Sequence, residues 1–238
     1  MADRLILLTT PEFADLAVAP LRAARSGLAI RPAFTLPDLR DALVRDGSRV
    51  RLLGFASGVI VPADLLDAAT AGAYNLHCGP PTFPGLFPSV FAIYEGARRF
   101  GATLHEMSAT VDDGAIVATS WFDLPGDADR LTADTLALKA MLDLLAARAP
   151  ALTDLTRRPS PNGERWSGPV RRTRDFAALC RLPPDVSAEE FARRYRAVGE
   201  GPEHALEITV HGQRFVLDNR RADTVVRANA CVRSPRVA

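Results

Sequence analysis

The chain has three cysteines, a net charge of only +1 and no long apolar run, and each shortage excludes a class of protein. No stretch of about 18 apolar residues occurs, and the N-terminus lacks the basic start, apolar stretch and cleavage site of a signal peptide. We therefore expect neither a membrane span nor secretion. The balanced charge offers no positive excess for holding a phosphate backbone, which disfavours nucleic acid as a partner.

The cysteines, Cys78, Cys180 and Cys231, are far apart and form an odd set without C-x-x-C spacing. This pattern predicts reduced thiols and a cytoplasmic location. The four histidines do not flank the cysteines at the spacing that a structural zinc site requires. The sequence therefore predicts no bound metal.

Segments with strand and helix patterns alternate over the first half of the chain. Residues 4–9 form an apolar run typical of a strand buried on both faces, and helical spacing follows from Pro11. Later strands are predicted at 28–34, 50–55 with a continuation at 59–61, and 73–77. This alternation predicts an α/β fold with a Rossmann-like, mostly parallel sheet flanked by helices. Ligands bind such sheets at the carboxyl ends of the strands.

A proline-rich loop follows the strand at 73–77, where a ligand is expected. Beyond this loop we predict a helix at 90–99, strands at 102–107 and 116–122, and a long helix from Thr132, as its N-cap, to Arg148.

The composition changes near residue 150. Residues 150–169 are polar and rich in Pro, Arg and Ser, which predicts a linker or an extended arm crossing the surface. We place a domain boundary here, between a first domain at 1–150 and a second part at 151–238. A capping box at Ser187 and a hairpin at 206–217 predict a small C-terminal α+β extension. The exposed edges of that hairpin suit pairing with a second subunit, so a homodimer is one expected assembly.

Two polar residues, Asn75 and His77, are separated by one position and so project from the same face of a strand. Asp112 and Asp113 follow in an Asp-Asp-Gly turn, which a βαβ arrangement would bring close to that strand end. An amide, an imidazole and a carboxylate together suit addition of a nucleophile to a carbonyl. The Asn-x-His pattern alone is weak, and an isolated example is more often structural.

Four spaced motifs strengthen this interpretation: NLHCGPPTFPG at 75–85, FAIYEG at 91–96, GATLH at 101–105 and VDDGAIV at 111–117. Together they resemble the formyltransferase family that uses 10-formyltetrahydrofolate. The resemblance covers roughly residues 50–125. It implies the formyltransferase fold for residues 1–150 and transfer of a formyl group to a primary amine.

The resemblance also implies roles for individual residues. Asn75 would hydrogen-bond the formyl oxygen as it becomes an oxyanion, and His77 would stabilise that charge and assist proton transfer. Asp112, which the family pattern favours over Asp113, would hold His77 and help to deprotonate the amine. His105 matches a family histidine that we expect to belong to the core or to brace the loop.

The folate ring would lie against the backbone at 54–60 and the loop before Asp112. The implied binding residues are Phe55, Gly58, Val59, Ile60 and Thr110, although the side chains of Phe55, Val59 and Ile60 equally suit a hydrophobic core. Cys78 is interpreted as packing or loop lining, because the family mechanism is not covalent.

The four motifs do not identify the amine acceptor. Chain size and a short C-terminal tail favour an amino-sugar nucleotide. Methionyl-tRNA, another small amine, hydrolysis of 10-formyltetrahydrofolate and a noncatalytic binding module remain alternatives. The arginines at positions 171, 172 and 174 could meet a diphosphate or form an ordinary solvated face.

Overall fold

The computed structural model describes residues 3–43, 47–199 and 206–217. Its centre is a six-stranded sheet with the order β2-β1-β3-β4-β5-β6, in which the first four strands run parallel and the last two are antiparallel. The strands are β1 Arg4–Leu8, β2 Ala29–Ala33, β3 Val50–Phe55, β4 Ala73–His77, β5 Arg99–Glu106 and β6 Ile116–Asp123. The predicted mostly parallel α/β sheet is confirmed.

Helices cover both faces of this sheet because residues along the central strands are buried on both sides. Leu53 and Tyr74 lie in the same apolar cluster as the first and fifth helices, whereas Ile6 and Leu52 lie in the cluster of the second and third. The helices are α1 Pro11–Ala24, α2 Leu36–Ala42, α3 Ala63–Ala68, α4 Pro88–Tyr94 and α5 Arg130–Thr153. The sequence pattern also predicts a helix at 36–44, and Val44 lies outside the described residues.

Three predicted boundaries are wrong. The strand continuation at 59–61 does not form, because the chain leaves the sheet at Ala56, which has a φ of 49°. The helix predicted at 90–99 ends early, before Gly96 with a φ of 72°, and β5 begins at Arg99. The long helix starts before Thr132, because the Asp129 side chain caps it by accepting the backbone N–H of Thr132 at 2.8 Å.

The expected parallel crossover after β4 is also wrong. The connection through α4 leads into β5, which runs antiparallel to β4 and places His105 directly opposite Asn75. The turn that carries Asp112 therefore joins two antiparallel strands, β5 and β6. The polar side chains still meet, but they do so across an antiparallel pair.

The C-terminal part contains the predicted helix and hairpin together with a short helix and strand that the sequence patterns did not indicate. These elements are α6 Thr173–Cys180, β7 Arg181–Leu182, α7 Ala188–Val198, β8 Glu207–Val210 and β9 Gln213–Val216. Cys231 falls outside the described residues. Within the described ranges, no helix is both long enough and apolar enough to cross a membrane.

The proposed boundary at residue 150 falls inside α5, which continues to Thr153. Arg51, fully buried in β3, donates hydrogen bonds to the carbonyl groups of Ala151, Leu152, Asp154 and Arg157. A positive side chain at a helix C-terminus is favoured by the exposed carbonyls there. Arg51 thus fixes the chain beyond residue 150 to the main sheet, and the division into two domains stays a prediction.

Candidate active site

The carboxyl end of β4 carries two of the predicted residues. Asn75 is paired in register with Gly54 of β3 on one side and with His105 of β5 on the other. A Cβ atom at Gly54 would lie 2.6 Å from Asn75 Oδ1, so only glycine leaves room for this amide. His77 follows two positions later on the same face.

Asp112 is held in the turn between β5 and β6, at a φ of 48°. Its Oδ2 accepts the backbone N–H of Gly85 at 2.7 Å and lies 3.4 Å from Nδ1 of His77. Its Oδ1 lies 3.4 Å from Nε2 of His105. One buried carboxylate therefore connects two imidazoles and the proline-rich loop.

The surroundings of Asp112 keep it ionised. Burial by itself would raise the pKa of this carboxyl, but the imidazoles of His77 and His105 and the Gly85 amide outweigh it and lower the pKa to about 2. A negative charge so placed stabilises any positive charge that develops on His77, and it orients the ring.

Both ring nitrogens of His77 face oxygen atoms. Nδ1 faces Asp112, and Nε2 lies 3.0 Å from the carbonyl oxygen of Phe83. A proton on Nε2 can be donated to the Phe83 carbonyl, and a proton on Nδ1 lies close to the Asp112 carboxylate. Nε2 can act on a substrate only when its contact with the Phe83 carbonyl is replaced by a contact with a substrate atom.

His105 contacts more of the site than the sequence interpretation assigned to it. Its Nδ1 lies 2.8 Å from the carbonyl oxygen of Glu106, and its Nε2 lies between Oδ1 of Asp112, at 3.4 Å, and the Asn75 amide. The distance from Nε2 to Nδ2 of Asn75 is 3.2 Å. Besides bracing the loop as expected, His105 lies directly behind the Asn75 amide and fixes which way this amide points.

Trp166 is a site residue that sequence reasoning missed. Its Nε1–H donates to the carbonyl of Gly114 at 2.8 Å, and its ring makes T-shaped contacts with His77 and His105 at centroid distances of 5.6 and 4.9 Å. A lone tryptophan within a Pro-, Arg- and Ser-rich segment was the available signal, because solvated linkers rarely carry one.

A cavity of about 470 Å³ lies beside this cluster, and Asn75, His77, His105 and Asp112 all line it. Most of the remaining lining is apolar side chain or glycine. The predicted folate-binding residues Gly58, Val59, Ile60 and Thr110 are among the lining residues.

Phe55 is the one predicted folate-binding residue that does not line the cavity. Its side chain is fully buried and packs edge-on against Phe13 at 6.2 Å, on the opposite side of the sheet from the cavity. Strand residues alternate between faces, so Gly54 faces the cavity and Phe55 does not. Its side chain therefore belongs to the hydrophobic core.

Two further lining residues come from outside the predicted binding set. Cys78, which is not part of a disulfide, lines the cavity next to His77. Thr173, at the start of α6, is the lining residue that the C-terminal part contributes. Within the described part of the chain, no group of three or more His, Cys, Asp or Glu side chains is arranged to hold a metal ion.

The fold and this cluster together define an α/β protein with an Asn, His and Asp site at the strand ends. Residues 52–137 match the sequence model of the formyl transferase family. The matched stretch contains Asn75, His77 and Asp112.

The chain is similar to two kinds of known protein: methionyl-tRNA formyltransferases in sequence and sugar N-formyltransferases in structure. Methionyl-tRNA formyltransferase of Chlamydia trachomatis is 33% identical over 162 residues, covering 68% of this chain and 47% of that protein. The chain thus spans about half the length of the curated relatives it matches.

Solved structures of similar size share the fold. A sugar N-formyltransferase from Shewanella superposes with a TM-score of 0.70 at 20% identity, covering 91% of this chain and 96% of that one. The N-formyltransferase of Helicobacter canadensis, solved with folinic acid and dTDP-3-aminofucose, gives 0.62 at 14% identity, covering 89% and 85%. The predicted formyltransferase fold is confirmed.

Proposed function

We propose that this protein transfers the formyl group of 10-formyltetrahydrofolate to a primary amine. The observation that carries this proposal is the convergence of Asn75, His77 and Asp112 on one wall of the cavity, within the formyl transferase domain. An amide donor, an imidazole and an ionised carboxylate are the groups that amine addition to a formyl carbon requires.

The reaction begins when the amine nitrogen attacks the formyl carbon and forms a carbon–nitrogen bond. The carbonyl oxygen then carries negative charge, to which the Asn75 amide donates a hydrogen bond while His77 supplies a proton or positive charge. The proton lost by the amine is accepted by Asp112, directly or through water. Collapse restores the carbonyl and breaks the bond between the carbon and N10 of the folate. The proton taken from the amine is passed to N10, directly or through water, and N10 leaves as part of tetrahydrofolate.

The cavity suits the flat donor. Its walls at 56–60 and 108–111 come from two loops at the ends of β3 and β5, and glycine at 58 allows a ring to approach the backbone closely. The Helicobacter canadensis neighbour was solved with folinic acid, a formylated folate. Support for a folate donor thus comes from both the cavity and the shared fold.

We propose an amino-sugar nucleotide as the acceptor. The chain covers 96% of the Shewanella sugar N-formyltransferase but 47% of the Chlamydia trachomatis methionyl-tRNA formyltransferase. The fold is thus shared along almost the whole of the Shewanella chain, and the Helicobacter canadensis neighbour was solved with dTDP-3-aminofucose.

The three arginines near the cavity differ in their availability for a diphosphate. Arg171 is ion-paired with Glu95 and stacks over Phe91 at 4.5 Å, so it has a structural role. Arg172 and Arg174 are exposed and flank Thr173, which lines the cavity. These two side chains are the ones we assign to acceptor phosphates.

The experiment is to incubate the full chain with 10-formyltetrahydrofolate and a panel of amines that includes dTDP-amino sugars and methionyl-tRNA. Tetrahydrofolate release and the mass of the formamide are followed together. Amine-dependent release with formylated product supports transfer, and the preferred amine identifies the acceptor. Release without any amine would replace transfer by hydrolysis, and binding without release would reduce the protein to a folate-binding module.

A further inference from the structure

The arm at residues 158–172, which overlaps the linker or extended arm predicted at 150–169, lies along the proline-rich loop that follows His77. Ser167 N–H donates to the carbonyl of Pro81 at 2.8 Å, and Arg171 N–H donates to that of Pro84 at 3.0 Å. Leu86 N–H donates to the Arg171 carbonyl at 2.9 Å. These backbone bonds fix the arm to the segment that ends in the cavity wall.

Trp166 lies within this arm and contacts three separate elements of the site. Its indole N–H bonds to Gly114, two residues after Asp112, and its ring packs on His77 of β4 and His105 of β5. The two imidazoles that it contacts are the two that Asp112 connects. Trp166 is not among the residues that line the cavity, so it acts on the site through its neighbours.

We propose that Trp166 is a positioning residue that holds His77 and His105 in place around Asp112. Aromatic edge contacts restrict the rotation of both imidazoles, and the indole hydrogen bond fixes the turn that carries the carboxylate. A displacement of about 1 Å in such a group can lower a rate by about 10²-fold. The kinetic part of this proposal rests on the proposed formyl transfer, whereas the structural part does not.

The kinetic test compares Trp166→Leu, Trp166→Phe and the control Trp121→Phe in the full chain. Trp121 is the other tryptophan and packs under Arg99 on β6, away from the site. We expect Trp166→Leu to lower kcat by about 10–100-fold with little change in KM for the folate. Trp166→Phe, which keeps a ring but loses the N–H donor, should recover most of that loss, and Trp121→Phe should match the wild type.

Wild-type kcat in Trp166→Leu would overturn the proposal, as would an equal loss in Trp121→Phe. A rise in KM with unchanged kcat would also overturn it, because that result would assign Trp166 to binding. If Trp166→Leu does not fold, Trp166→Phe carries the kinetic test with a smaller expected loss of roughly 2–5-fold.

A second measurement needs no activity. Imidazole ¹⁵N resonances of the four histidines are recorded by NMR in the wild type and in the variants. The resonances of His77 and His105 should shift in Trp166→Phe, while those of His211 stay unchanged. Unchanged resonances for both would overturn the proposal. An inactive wild type with the expected shifts would refute only the proposed function and leave the positioning role supported.

Discussion

The segment at 73–116 and the arm at 158–172 build the same site in different ways. The first carries Asn75, His77 and Asp112, and its spacing reveals its chemistry. The arm carries no recognisable motif, yet it contacts both histidines through Trp166 and is bonded along the proline-rich loop. Residues that react are visible in sequence as types at fixed spacing, whereas residues that hold them need only complementary shape and backbone hydrogen bonds.

The largest effect should follow removal of the reacting groups. His77→Ala is expected to lower kcat by about 10²–10⁴-fold, and Asn75→Ala by about 10²–10³-fold, because each removes a group that stabilises the transition state. Steady-state formyl transfer by the full chain measures both. The free energy of unfolding is measured alongside, and wild-type rates in both folded variants would leave the segment at 73–116 without a catalytic role.

The second-largest effect should follow Gly85→Ala, which disturbs the contact between the arm and the proline-rich loop. Gly85 has a φ of 93°, and a Cβ there would lie 2.2 Å from the carbonyl oxygen of Arg171. We expect a loss of roughly 2–4 kcal/mol in the free energy of unfolding, together with lower activity. The matched control is Gly163→Ala in the arm, with a φ of 86° and no atom within 4 Å, which should cost only about 1 kcal/mol. Equal losses in denaturant unfolding would show that the contact between arm and loop contributes nothing.

A smaller, pH-dependent effect is expected for Asp112→Asn. The pKa of Asp112 is lowered from 3.8 to about 2 in the folded chain, so its ionised form favours the folded state at neutral pH. This contribution is fully present above about pH 4 and is lost as the pH falls towards 2. The variant should therefore be less stable than the wild type by about 2 kcal/mol at pH 7 and by much less near pH 2. A gap that stays constant over this range in denaturant unfolding would show that the carboxylate is not stabilised as described.

The smallest effect should come from the end of the arm. Replacing Arg172 and Arg174 together by Gln is expected to raise KM for a nucleotide-linked amine by roughly 2–5-fold, because exposed charge pairs contribute little. The effect should shrink at high ionic strength. KM for an amine without phosphate should stay the same. Equal changes for both amines would remove these arginines from acceptor recognition.

The sequence predicted the parallel strands well because their apolar runs are short, continuous and separated by helical spacing. It also predicted that Asn75, His77 and Asp112 meet. Two residues separated by one position on a strand, and an aspartate two residues before a glycine, are patterns that can be recognised in the sequence. The structure shows that these side chains lie in one cluster.

Other features left no such pattern. The antiparallel direction of β5 was missed because an apolar run does not encode the direction in which a strand is paired. Phe55 was assigned to the binding site through the family resemblance, and because β3 is buried on both faces, hydrophobicity could not show that its side chain faces the core. Trp166 and Thr173 reach the site by long-range packing from a polar segment, which composition alone cannot predict.

The most direct test of the account is a crystal structure of the full chain with folinic acid. The pterin is expected to lie in the cavity against the backbone at 56–60 and 108–111, with the formyl-bearing part of the ligand directed towards Asn75 and His77. A folate bound outside this cavity, or one whose formyl-bearing part points away from both residues, would contradict it.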